Sequence, residues 1–201
     1  MIDVSTILKL HDQTVWRWHQ EPVDNPYSGL LFVVCQQHGF NFLLWHEEDT
    51  ARSPDASDTM MARVKRTIDK YNQQRNDWIE KIDDWITAYL AEERIAASHN
   101  AVQNSETVGS AMDRLSILAL RIYHLREQCD RTDIDQEQLG RVTHKLTVCL
   151  EQRADLAKAL AELIDDIRRG HKRHKTYRQL KMYNDPMLNP AIYQSRRRNA
   201  G

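Results

Sequence analysis

Two histidine and carboxylate pairs carry the first chemistry this sequence offers. His46 precedes Asp49 by three residues, and His124 precedes Glu127 by three. That spacing sets both groups of a pair on one face of a helix. Two such pairs facing each other resemble the donor sets of carboxylate-bridged metal sites in helical bundles. Against a cation stand Arg63, Arg75, Arg141 and Arg153 on the helices expected to face them. No metal is therefore favoured, and if one binds, its candidate ligands are His46, Asp49, His124 and Glu127. Arg75 and Arg153 also occupy seam positions where Leu is expected, and an unpaired charge there is costly. One compensation is a set of ion pairs with Asp49, Asp113 and Glu127 that fixes helix register. The other is a pocket in which Arg75 and Arg153 grip an anionic ligand bidentately, with Asp113 opposite Arg153, while His46 and His124 move protons. The candidate ligand-binding set is thus Arg75, Asp113, Arg153, His46, Asp49, His124 and Glu127. With no Gly-rich phosphate loop and no nucleophile motif, the sequence assigns neither catalytic residues nor a cofactor.

Helices must position these groups. Val4, Ile7, Leu8, His11, Val15 and Trp18 recur at helical spacing, which predicts an amphipathic helix over 3–20 ended by Pro22. Asn25 as cap and Pro26 at the first turn predict a second helix from 26 to Arg52, stopped by Ser53-Pro54. A third helix over 57–96 carries a seam of alternating three- and four-residue steps from Met61 through Ile68, Arg75 and Ile82 to Tyr89. After a polar loop at 98–105, a fourth helix spans 106–130. The fifth runs from 133 to Gly170 with a like seam through Leu146, Arg153, Leu160 and Ile167. No useful stretch alternates with period two. The expected fold is therefore all-α: two similar antiparallel hairpins (26–96 and 105–170), an N-terminal helix, and an extended basic tail (171–201) laid along the bundle, in one domain spanning 1–201.

An internal repeat sharpens that geometry. Shifting the chain by 78 residues sets His46 on His124, Asp49 on Glu127, Arg63-Val64 on Arg141-Val142, and Arg75 on Arg153. Eight positions between 45 and 90 are then identical, which supports a duplicated hairpin. Both interhelix turns fall at one end, so His46, Asp49 and Arg63 share a layer with His124, Glu127 and Arg141, and Arg75 and Arg153 share a second.

Composition narrows the setting. The 201 residues are 41% hydrophobic and 28% charged, with six Gly and five Pro, which excludes a disordered chain and leaves few tight turns. Cys35, Cys129 and Cys149 form neither a disulfide framework nor a zinc cluster, so a reducing, cytoplasmic setting is expected. The longest apolar run, Leu30 to Cys35, is too short to cross a bilayer. Net charge is −1, yet ten Lys or Arg against a single acid lie from Arg168 onward. That tail is expected to fold onto its own acidic body, with nucleic acid the less favoured partner. The run Arg196-Arg-Arg198 reads as a mobile end.

Several blocks together resemble a known family: Leu44-Trp-His-Glu-Glu-Asp49, Asn72-Gln-Gln-Arg-Asn76, the long run from Glu106 through Asp113-Arg-Leu-Ser-Ile-Leu118 to His124, Glu151-Gln-Arg-Ala-Asp-Leu156, and Tyr177 to Pro190 with its Met-Tyr-Asn-Asp-Pro core. The family is an uncharacterised bacterial one, known as a domain of unknown function, whose members tend to be encoded among genes for lipopolysaccharide and other envelope-glycan assembly. The resemblance implies no established activity and no catalytic role for any residue. It implies a cytosolic helper or enzyme near nucleotide-sugar chemistry. Three functions follow as expectations: a protein that binds an anionic small molecule such as a nucleotide sugar in the Arg75 and Arg153 layer, a metal-dependent phosphohydrolase or pyrophosphatase, and a structural module whose seams pair with a second copy.

Overall fold

Side-chain caps open four of the five helices that a computed structural model shows among residues 2–182 and 185–190. Asp3 accepts from the Ser5 amide to start α1 (Val4–Trp18), and Ser57 accepts from Met60 to start α3 (Asp58–Glu92). Thr107 and Asp135 do the same for α4 (Val108–Cys129) and α5 (Gln136–Arg168). Each cap satisfies an amide that has no partner inside its helix. Helix α2 (Gly29–Ala51) departs from expectation, because it begins at Gly29 and not at Pro26. Gly29 takes φ +59, which interrupts any right-handed helix through Pro26. Asn25 caps no helix: its Oδ1 accepts from the Tyr27 amide at 3.4 Å ahead of α2, and its Nδ2 donates to the Phe32 carbonyl at 2.9 Å.

The helices form the expected all-α hairpins: α2 packs along α3, and α4 along α5. One small addition was not foreseen. Val102–Gln103 (β1) and Lys172–Arg173 (β2) pair as two-residue parallel strands, tying the loop before α4 to the chain after α5. Gly170 at φ +75 turns the chain there, as its position after α5 predicts.

The two hairpins meet with repeat partners face to face. His38 on α2 and Ser116 on α4, 78 residues apart, hydrogen-bond at 2.6 Å, and the rings of His46 and His124 lie 5.9 Å apart. Repeat partners on α2 and α4 therefore meet at the contact between the two hairpins. Helix α1 has no counterpart in the repeat; it lies against α2, α4 and α5 and buries Ile7, Leu10, His11, Val15 and Trp18. Burial of each large apolar side chain contributes roughly 1.5–3 kcal/mol. The long seams are buried unequally. Ile82 and Ile86 of α3 and Leu160, Leu163 and Ile167 of α5 enter the core, whereas most of each helix's first half does not.

The described part of the tail lies on α3. The His174 ring donates from Nε2 to the Asp83 carbonyl at 2.8 Å, and Arg178 pairs with Glu80 and Asp84. Arg196 to Arg198 lie outside the described residues.

Candidate metal centre

Three histidines from three helices converge where α1 ends against the α2 and α4 crossing. His19 closes α1, His46 lies on α2 and His124 on α4, and one ring nitrogen of each lies within 4.8 Å of the other two. The nitrogens free to point there are the Nε2 atoms, all three buried and without a hydrogen-bond partner. Their opposite ring nitrogens explain this. His19 Nδ1 donates to the Val15 carbonyl at 2.6 Å, and His124 Nδ1 lies 2.8 Å from a Glu127 carboxylate oxygen. Both acceptors lack a proton to give, so Nδ1 carries the hydrogen and Nε2 keeps its lone pair in each neutral ring. This is the arrangement of metal-binding histidines, whose second nitrogen donates to a carbonyl or carboxylate.

Aromatic rings fix these imidazoles in place. Tyr123 stacks on His19 at 4.1 Å, Trp45 stacks on His124 at 4.8 Å, and Phe42 meets His46 edge-on at 4.4 Å. Burial lowers the pKa of His46, and the neighbouring His19 and His124 lower it further, against a smaller opposing pull from Asp49 and Glu127. The shift favours the neutral ring, the form in which imidazole binds a metal. A tetrahedral ion about 2.0–2.1 Å from each nitrogen needs nitrogen separations of roughly 3.3–3.5 Å. From 4.8 Å, the rings close by about an ångström or so to reach that. Three imidazoles leave a fourth position open, the pattern of catalytic zinc sites rather than of closed structural ones.

Two of the four ligands considered from sequence, His46 and His124, are in this cluster. Glu127 stands behind His124 as its hydrogen-bond acceptor, and Asp49 is exposed at the protein surface. The arginines counted against a cation do not face it: Arg63 and Arg141 are exposed, and Arg141 pairs with Glu137. Sequence reasoning missed His19. It stands one helical turn past Val15 and two past His11, on the apolar face of α1, and that register was the available signal.

The arginine layer is organised differently from expectation. Asp113 pairs with Arg75 across the hairpins and not with Arg153. The buried Asp113 carboxylate takes Arg75 Nε at 2.7 Å, Gln37 at 2.6 Å and Asn41 at 2.9 Å. Arg153 instead reaches Asp12 on α1 at 2.6 Å. The repeat explains the difference: the repeat partner of Asp113 is Cys35, which offers no charge, so α1 supplies the acid. Each guanidinium is matched by its own carboxylate, and Arg75 and Arg153 share no partner. Of the ion pairs anticipated for Asp49, Asp113 and Glu127 with these arginines, only that of Asp113 forms.

Fold and cluster together define an all-α protein of paired helical hairpins with three histidines gathered at their crossing. Residues 32–176 match the family described as "Protein of unknown function (DUF4254)", and the chain belongs to that family. His46 and His124 lie within the matched residues, and His19 precedes them. No curated protein and no solved structure matches the chain.

Proposed function

We propose that this protein binds one divalent transition metal through Nε2 of His19, His46 and His124, and that the metal serves catalysis at its open position. The observation that carries the reading is the convergence of one ring nitrogen from each of three histidines whose Nε2 atoms are all buried and unpartnered. Leaving a buried polar atom without a partner costs about 1–3 kcal/mol, and one ion satisfies all three at once. Imidazole donors suit zinc, copper, iron or nickel. Zinc in such a site brings the pKa of its bound water to about 7, supplying hydroxide near neutral pH. The reaction class that fits is hydrolysis of an anionic ester, the phosphohydrolase reading, with the ligand set changed to three histidines.

The anionic ligand, a nucleotide sugar being the example that suits envelope-glycan assembly, belongs beside this centre. The Arg75 and Arg153 layer supports it less, because both charges are already matched by Asp113 and Asp12. Free thiols at Cys35, Cys129 and Cys149 support a cytoplasmic setting.

The test is calorimetric titration of chelator-treated protein with Zn²⁺. One ion per chain is expected, with binding lost in His19→Ala, His46→Ala and His124→Ala alike. A wild-type chain that takes no Zn²⁺, or variants that bind it unchanged, would overturn the reading. Zinc-dependent release of nitrophenol from nitrophenyl phosphate tests the reaction separately.

A further inference from the structure

A cleft of about 570 Å³ opens between α4 and α5, with His124 in its wall. Helical spacing puts Arg121, His124, Leu125 and Gln128 on one face of α4, turned toward α5. His144, Lys145, Val148, Cys149 and Gln152 answer from α5, and Trp45 of α2 closes one side. The apolar part of the lining is Trp45, Leu125, Val148 and Cys149. Arg121 and Lys145 are exposed cations, and among the described residues no carboxylate pairs with either. Most basic residues elsewhere behave otherwise: Arg17, Arg75, Arg131, Arg153 and Arg178 each hold an acid. The Trp45 ring stacks on His124, so the cleft borders the histidine cluster through His124, while His19 and His46 lie behind that wall.

Resting on the metal reading above, we propose that this cleft is the substrate pocket of that centre, and that it takes an organic phosphate. The phosphate is gripped by Arg121 and Lys145, and its apolar body packs against Trp45, Leu125 and Val148. A cleft of this size with apolar walls and a few convergent polar groups fits a small organic molecule. Two unpaired cations beside a dipositive ion select for negative charge. The apolar wall selects an ester or phosphonate over free phosphate.

The experiment titrates zinc-loaded protein with phenylphosphonate, a phosphate-like probe with no ester bond to hydrolyse, and with inorganic phosphate. Phenylphosphonate is expected to bind once per chain and more tightly than phosphate. Arg121→Gln combined with Lys145→Gln should weaken it at least tenfold, the loss of a charge-assisted contact. Both positions are exposed, so the variant keeps its fold. Absence of phenylphosphonate binding, equal binding of both probes, or an unaffected double variant overturns the pocket. Zinc stoichiometry measured on the same samples separates the two ideas. One zinc with no phosphonate sinks the pocket alone, whereas phosphonate bound without any zinc keeps the pocket and removes its tie to a metal.

Discussion

Acidification tests whether the two innermost histidines are held neutral. His11 on α1 and His38 on α2 are fully buried with ring centroids 4.5 Å apart, Trp18 lies over His38, and Ser116 meets its Nδ1. Burial drives the pKa of His38 down to about 3. His11 is pushed well below its ordinary range, by burial first and then by His38 and Arg153. In the unfolded chain each titrates near 6.5. Between those values the unfolded state binds protons that the fold refuses, so stability is full above about pH 6.5 and falls as pH drops below it. At pH 5 His38 alone removes about 2 kcal/mol. His11 and the half-buried His46 act in the same direction. Urea unfolding of chelator-treated protein, followed by circular dichroism from pH 7.5 to 5, should show this loss. The window lies above the range in which most carboxylates titrate, which isolates the histidines. A midpoint that stays level across it, or stability that rises toward pH 5, would refute neutral burial of this pair.

The other predictions test the centre and the packing that holds it. Glu127→Gln removes the carboxylate behind His124 and should weaken zinc binding about 10–100-fold without abolishing it, read by competition with a chelator. Arg75→Met strands the buried Asp113 carboxylate and should cost about 3 kcal/mol in chemical denaturation. Arg153→Met leaves Asp12, which is 43% exposed, free to take up water, and should cost about 1 kcal/mol or less; equal costs would contradict the assigned pairing. Gly109→Ala places a Cβ 2.6 Å from the Ile79 carbonyl oxygen and 3.0 Å from an Asp83 oxygen, so the α3 and α4 contact must open, lowering stability by about 1–3 kcal/mol in a thermal melt.

The helices and their hairpin pairing were legible because apolar spacing and capping residues act locally. Ser57 caps α3 where the expected helix begins, α5 opens behind Asp135 a few residues past the expected 133, and the prolines near residues 22 and 54 fall outside helices as sterics require. The start of α2 differs from expectation because its decisive feature, the left-handed Gly29, is a backbone angle that residue type permits without requiring. The site was half legible. The 78-residue repeat put His46 and His124 at one level, and they meet there. Which face of α4 Asp113 occupies depends on how the hairpins cross, a property of tertiary packing with no local signature. Spacing alone therefore points to a partner within its own hairpin, whereas its partner Arg75 lies on the other.

The 78-residue repeat also shows what a duplication alone does not provide. A duplicated hairpin delivers side chains in pairs, so His46 brings His124, and Arg75 brings Arg153. A three-imidazole site of the kind proposed, and an acid for each arginine, require an odd contribution. Helix α1 makes both: His19 joins the pair of imidazoles, and Asp12 meets the arginine whose symmetric partner position holds Cys35. Its apolar face, packed among α2, α4 and α5, is thus what converts a near-symmetric bundle into an asymmetric site. Truncation through residue 22 should consequently abolish zinc binding even if the two hairpins still pair. Zinc retained at one ion per chain in the truncated protein would show that His46 and His124 recruit their third ligand elsewhere.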